Sequence, residues 1–188
     1  LENELNENAK LLLGGDIEID YNNKEGDQTK IDKITKFATV SQMVEFSTMI
    51  STVNKKINKT SFTRVKSVDQ FYPLYGKALY EPNDALEKLN QIESSILVNE
   101  NIFKNLNLKI NDIVKVQDKE FKVIGIVKVL PDIGGAFVFG DFALTGKKTL
   151  DKLDLNTLGS FLNYEYKVKF NETTNSKKGI KRVESLFK

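Results

Sequence analysis

The side chains able to do chemistry are few in kind. The chain has 188 residues and holds no Cys and no His, which removes thiol nucleophiles, His-based triads and most zinc sites. Hydroxyls, lysines and carboxylates remain. Ser47, Ser51 and Ser61 have no His to activate them, and nothing in the sequence sets a Lys beside one of them as a Ser-Lys dyad would need. Asp112, Asp118, Asp132 and Asp141 could furnish a carboxylate pair or a hard-metal site, but no DxDxDG-type spacing links them. Solvated turn residues are the default reading for all four. Gly14-Gly15-Asp16 has the composition of a phosphate loop. It follows a helical stretch, precedes a strand-like one and lacks the Lys-Ser/Thr of a P-loop, so it reads as a helix stop.

Two stretches invite a binding role instead. Pro131-Asp132-Ile133-Gly134-Gly135, then AFVFGDF, is either a tight turn before a strand whose glycines are bulges, or an apolar loop shaped for a partner or a greasy ligand. The two readings are compatible. Phe71, Tyr72, Tyr75 and Tyr80 could line a cleft or pack a junction between two halves, since amphipathic rings suit half-buried positions.

The elements around these residues alternate between helical and strand periodicity. Leu1–Leu13 predicts a helix stopped by the two glycines, and Asp16–Tyr21 a strand. A short helix over Gln28–Lys36 leads to a long strand, Phe37–Thr52, whose return strand is Ser61–Asp69 across a basic loop. Phe71–Pro82 reads as an ordered, irregular connection, and Asp84 as the cap of a short helix over Ala85–Leu89. The organising unit is Ile96–Thr145. Its strand ILVN precedes a helix over Glu100–Leu106 and a turn at Asn111-Asp112, where Asn tolerates the left-handed conformation. Two antiparallel runs, IVKVQ and FKVIGIVKV, then face each other across a turn at Asp118-Lys119-Glu120. Lys147–Leu155 reads as a short helix and Leu162–Phe170 as an alternating strand. A last helix is capped by Thr174 or Asn175, with Gly179 as its weak point.

Charge excludes one class of partner. Twenty-eight basic residues against 26 acidic ones give a net +2, without the basic excess of a nucleic-acid surface. The acids crowd residues 1–20 and the bases residues 167–188, a pattern that favours neighbouring chain ends although exposed pairs are worth under about 1 kcal/mol each. The most apolar window, Val123–Leu144, carries Lys128, Pro131, Asp132 and Asp141, and a charge near the centre of a span costs roughly 2.5–3.5 kcal/mol. A buried sheet is the better reading. The chain begins at Leu1 rather than Met, so we read it as an excised fragment, with any targeting or membrane segment expected in the flanking sequence.

In order, LLLGGDIEI, VSQMVEFSTMI, VKSVDQFYPLYGKALYE and the run from Ile96 to Gly140 resemble the first large extracytoplasmic domain of FtsX-like ABC transporter permeases, related to the MacB-like periplasmic core and closest to the YbbP-type subgroup. The resemblance spans nearly the whole chain. Its specific parts are the Gly-Gly-Asp junction, the Val-Glu-Phe strand, Ser67-Val68-Asp69 with Tyr72-Pro73-Leu74 and Gly76, and the Pro131-Asp132 to Gly134-Gly135 segment. Two positions depart from the pattern: Leu130 stands where an acid is common, which puts a carboxylate role there in doubt, and Asn111 stands where Gly is usual.

The resemblance implies an α+β fold, with a mixed α/β porter-like subdomain formed by both chain ends (1–82 plus 160–188) and an inserted β-rich Sabre-like subdomain (83–159). It implies a non-catalytic module on the extracytoplasmic side of the cytoplasmic membrane. Such a module couples ATP hydrolysis to the handling of an apolar substrate (lipid, lipoprotein or peptide) or to a periplasmic partner. No cofactor is expected in this domain, ATP being bound by a separate cytoplasmic subunit. The expected partners are that ATPase, through flanking membrane helices, and a second permease copy or homologous half. Contact with substrate or partner is expected at Pro131, Ile133, Gly134, Gly135, Phe137 and Phe139, with Tyr72 and Tyr75 at the junction. The alternatives are a scaffold that recruits a separate hydrolase and a Ser-Lys hydrolase.

Overall fold

The computed structural model describes residues 2–53, 55–132, 140–155 and 162–188. The elements run α1 (Glu2–Leu13), β1 (Ile17–Asn22), α2 (Gln28–Ile34), β2 (Ala38–Thr52), β3 (Thr60–Val68), β4 (Leu79–Glu81), α3 (Ala85–Lys88), β5 (Ser95–Asn99), α4 (Glu100–Asn105), β6 (Ile113–Val116), β7 (Lys119–Val129), β8 (Phe142–Gly146), a 3-10 turn (Lys147–Lys152), β9 (Asn163–Phe170) and α5 (Ser176–Leu186). The fold is α+β, as the sequence predicts.

Local chemistry sets the boundaries. Gly14 takes φ +74° and returns its N–H to the Lys10 carbonyl at 2.8 Å, ending α1. Asp27, Asn99 and Asn175 cap α2, α4 and α5 by accepting from backbone N–H groups two or three residues on. Asp84 does not cap α3: its carboxylate pairs with Lys88 one turn along, at 2.6 Å. Asn111 adopts φ 76° at the expected reversal.

Among the described residues, all nine strands belong to one mixed sheet, ordered β1-β9-β2-β3-β8-β5-β7-β4, with β6 joining β2 to β7. The pairings β2-β3, β3-β8, β8-β5, β5-β7, β7-β6 and β6-β2 therefore close a ring of six strands. β2 is long enough to do two jobs. Its far end, Ile50–Thr52, closes the ring against β6, while Ala38–Glu45 pair with β9 and carry an open wing, β1-β9-β2. Phe46, Ile50, Val65, Ile96, Val98, Val116, Phe121 and Val123 form the core of the ring. A second core, with Met43, Val68, Leu97, Ile124 and Leu144, lies on the opposite face of the ring strands under Tyr72, Ala85 and Leu89. Every β5 residue is therefore buried, which accounts for its unbroken apolar run. A third core holds α2 and α5 to the wing through Ile31, Ile34, Phe37, Phe170 and Val183.

Two sequence readings need correction here. The hairpin between β6 and β7 turns on Gln117-Asp118, because Val116 pairs with Lys119 and Gln117 takes the positive φ; Lys119 and Glu120 already belong to β7. Within the supposedly irregular Phe71–Pro82 connection, Leu79–Glu81 adds a strand to the edge of β7. The strand expected over AFVFGDF is seen from Phe142 onward, and residues 133–139 lie outside the described part.

Candidate functional site: a buried charged corner

The register of the wing sorts its side chains by face. Glu18 sits opposite Lys167, Asp20 opposite Glu165, Met43 opposite Glu165 and Glu45 opposite Lys66. Glu18, Asp20, Glu165, Lys167, Glu45, Lys66 and Arg64 consequently share one face, and Tyr21, Tyr166, Val168 and Val40 share the other. The apolar face meets α2 and α5. The charged face is covered at one end, where Lys66, Glu165 and Lys167 are buried.

The cover is the turn at Pro131-Asp132. Asp132 accepts from the Tyr72 hydroxyl at 2.6 Å and from Lys66 Nζ at 2.9 Å; the Asp132 and Lys66 side chains are 2% and 4% exposed. Burial alone would raise the Asp132 carboxyl, but Lys66 and the Tyr72 hydrogen bond outweigh it and hold it below the usual carboxylate range. Burial alone would lower Lys66, yet Asp132 and Glu165 hold it above its ordinary value. Burial, then Asp132, push the Tyr72 phenol well up, so it stays a donor. Asp132 is thus not the solvated turn residue the sequence suggests.

Two glycines let this turn close on the chain. Gly14 and Gly76 both have φ +74°; a Cβ on Gly14 would stand 2.9 Å from Asp132 Cβ, and one on Gly76 would stand 2.5 Å from Pro131 Cβ. Asp16, next to the glycine pair, accepts from the Tyr75 hydroxyl at 2.9 Å and the Phe170 N–H at 2.8 Å, and pairs with Lys10 at 3.2 Å. Asp69 accepts from the Ser41 hydroxyl, the Gln42 N–H and the Phe71 N–H at 2.8, 2.7 and 3.0 Å. The Gly-Gly-Asp junction, the Asp69 and Tyr72–Gly76 segment and Pro131-Asp132 are far apart in sequence, and they meet at one corner.

Of the expected contact residues, Tyr72, Tyr75 and Pro131 sit at this corner, and both hydroxyls are committed to internal carboxylates. Ile133, Gly134, Gly135, Phe137 and Phe139 lie outside the described residues. Tyr72 and Pro73 also line an open cleft of about 1040 Å³ with Tyr80, Leu86 and Lys147. Reading the sequence alone missed Lys66, Glu45 and Glu165. Charges alternating with buried apolar residues in RVKSV and NYEYKVKF were the available signal; that one end of their face would be roofed was not.

Among the described residues, neither Ser61 nor Ser94 has the surroundings of an activated nucleophile. The Ser61 hydroxyl bonds to Asp141. Lys152 Nζ does stand 3.2 Å from Ser94 Oγ, but it is equally close to Glu93 and 40% exposed, without the desolvated pocket a dyad needs. Among the described residues no helix is long and apolar enough to cross a membrane.

No family model matches this sequence, and no curated protein sequence matches it. Solved structures do. The periplasmic region of MacB from Actinobacillus actinomycetemcomitans aligns over 95% of this chain and 85% of its own, with TM-score 0.61 and 15% identity. A domain assigned to a permease protein from Porphyromonas gingivalis aligns over 79% and 68%, with TM-score 0.52 and 8% identity. The extracellular domain of the ABC-type transporter YknZ from Gram-positive bacteria aligns over 89% and 78%, with TM-score 0.49 and 11% identity. At these identities the likeness is one of architecture, and the chain has the fold of the MacB periplasmic region.

Proposed function

We propose that this chain is the extracytoplasmic domain of an ABC transporter permease, a non-catalytic module that transmits movement of membrane helices to an apolar substrate or a periplasmic partner. The likeness to the MacB periplasmic region over 95% of the chain carries this reading. ATP belongs to a separate cytoplasmic ATPase, and the permease acts with a second copy or a homologous half. The YbbP-type assignment and the division into porter-like and Sabre-like parts belong to the same proposal and rest on the motif order.

The corner suits transmission. β1 and β9 are antiparallel, with Ile17 opposite Val168, so α1 and α5 meet the wing at the same end. Displacement of α1 reaches Pro131-Asp132 directly through Gly14, and Tyr72–Gly76 through Asp16 and Tyr75. The turn then leads into the segment expected to touch substrate. The hairpin between β2 and β3 lies at the far end of β2, about ten residues beyond the Ser41–Gln42 contact with Asp69, or about 35 Å along the strand at roughly 3.3 Å per residue.

The lack of any Cys makes the topology testable. Lys56→Cys, exposed on that hairpin, in the full-length parent stripped of other cysteines should react with a membrane-impermeant maleimide in intact cells whose outer envelope has been made permeable. Labelling only after the cytoplasmic membrane is lysed would overturn the proposal.

A further inference from the structure

The two helices that cover the apolar face of the wing carry a charge that the fold itself does not use. Residues 27–36 and 175–188 hold eight bases against three acids, Asp27, Asp32 and Glu184, in a chain whose whole net charge is +2. Of the flanking charges, Lys24 and Glu25 cancel and Glu172 subtracts one. Lys167 and Lys169 belong to the opposite face of the wing, Lys169 lying 4.7 Å from the centroid of the Tyr75 ring. Burial fixes which way the helices face. Ile31 and Ile34 of α2, and Gly179 and Val183 of α5, are turned to the core. Lys33 and Lys36 on α2, and Lys177, Lys181 and Lys188 on α5, consequently point outward at helical spacing. These five and Lys178 are exposed, and among the described residues none of the six forms an ion pair.

The layer also keeps apolar groups at its surface. Ile180 and Phe187, two turns apart on α5, are 36% and 37% exposed, and Lys30 Nζ stands 4.7 Å from the Phe187 ring centroid. The one arginine of the layer, Arg182, is stacked over Phe37 at 4.1 Å. The other bases are lysines, point charges suited to a diffuse negative surface, whereas bidentate recognition of a single carboxylate or phosphate calls for arginine. Unpaired lysines beside part-exposed apolar side chains are the composition of a helix that lies on an anionic membrane surface. We propose that the α2–α5 layer docks on an anionic lipid bilayer, with Lys33, Lys36, Lys177 and Lys181 at the headgroups and Phe187 at the boundary with the acyl chains. This rests on the reading of the chain as a domain beside the cytoplasmic membrane, and it names the face of the domain that is turned to lipid. Each lysine near such a surface strengthens attachment about fivefold, and salt weakens the contact.

The test is partitioning of the full 188-residue chain onto phosphatidylcholine vesicles with and without phosphatidylglycerol. The chain should bind the anionic vesicles alone, and raised salt should release it. Lys33→Gln combined with Lys177→Gln and Lys181→Gln should weaken binding roughly a hundredfold and leave the circular dichroism unchanged. The chain has no Trp, so Phe187→Trp supplies a single reporter. Its emission should shift to the blue on anionic vesicles and stay unshifted with polyglutamate or single-stranded DNA. No binding to anionic vesicles, equal binding to neutral ones, undiminished binding by the triple variant, or an unshifted Trp on bound vesicles would each overturn the proposal. The Lys56→Cys labelling keeps the two readings apart. Extracytoplasmic labelling without vesicle binding removes the lipid surface alone. Vesicle binding with labelling only after lysis removes the transporter orientation and leaves the lipid surface standing, against the opposite leaflet.

Discussion

At the scale of single residues, the corner depends on buried charges that satisfy one another. Asp132 and Lys66 are both almost fully enclosed. Removing one member of a buried pair strands the other, at a typical cost of 3–5 kcal/mol. Asp132→Ala should therefore lower stability to urea by about 3–5 kcal/mol, whereas Lys66→Met combined with Asp132→Leu should recover a large part of that loss. Asp20 gives the opposite sign. Burial, a hydrogen bond to Glu18 and the charges of Glu18 and Glu165 push its carboxyl up to about 6. The folded chain then holds a proton that the unfolded chain has released, so this group's contribution falls as pH rises from about 4 through about 6. Asp20→Asn should melt with the parent chain near pH 3.5 and at a higher temperature near pH 7. A constant difference between the two melting curves across that range would contradict this account of Asp20.

At the scale of elements, the strands were legible wherever one face is apolar and the other polar. Period two located β7 and β9 within a residue or two, because each pleat sends alternate side chains to different surroundings, while β2 was legible from its Thr, Val, Ile and Phe content and β3 as its return. β4 was hidden because three residues at a sheet edge carry no period and lie between two prolines. Gly179 shows the limit of propensity. It reads as a weak point in α5, where Ala would ordinarily be better by about 1 kcal/mol. In the structure it lets the helix settle on Phe170, and a Cβ there would fall 2.7 Å from that ring. Phe170 is itself stacked on Phe37. Gly179→Ala should therefore destabilise the chain, by about 1–3 kcal/mol for overpacking. A raised melting temperature would show that α5 does not rest on Phe170 as described.

At the scale of the whole molecule, β2 is common property. It forms part of the ring and also carries the wing. Its residues run from the wing core, at Ala38 and Val40, into the ring core, at Val44, Phe46 and Ile50. Thermal unfolding of the full chain should be a single transition with equal calorimetric and van't Hoff enthalpies. Two resolved transitions would mean that ring and wing are independent despite their shared strand. The opposite charge of the chain ends is used at this scale too. It pairs Lys167 with Glu18 between strands, where the two are adjacent by register.

The sequence by itself determined the element order apart from β4, the α+β class, the helix stop at Gly14, the left-handed Asn111 and the absence of thiol and imidazole chemistry. All of these depend on residue type and on neighbours within a few positions. The motif order also pointed to the architecture that the MacB periplasmic region shares. Only the tertiary structure decided that β6 closes a ring, that Pro131-Asp132 lies on Gly14 and Gly76, and that Asp132, Lys66 and Tyr72 are enclosed together. Their separations along the chain reach 66 residues for Lys66 and Asp132. The burial of a charge depends on what the fold brings over it, and no local pattern of residues encodes that.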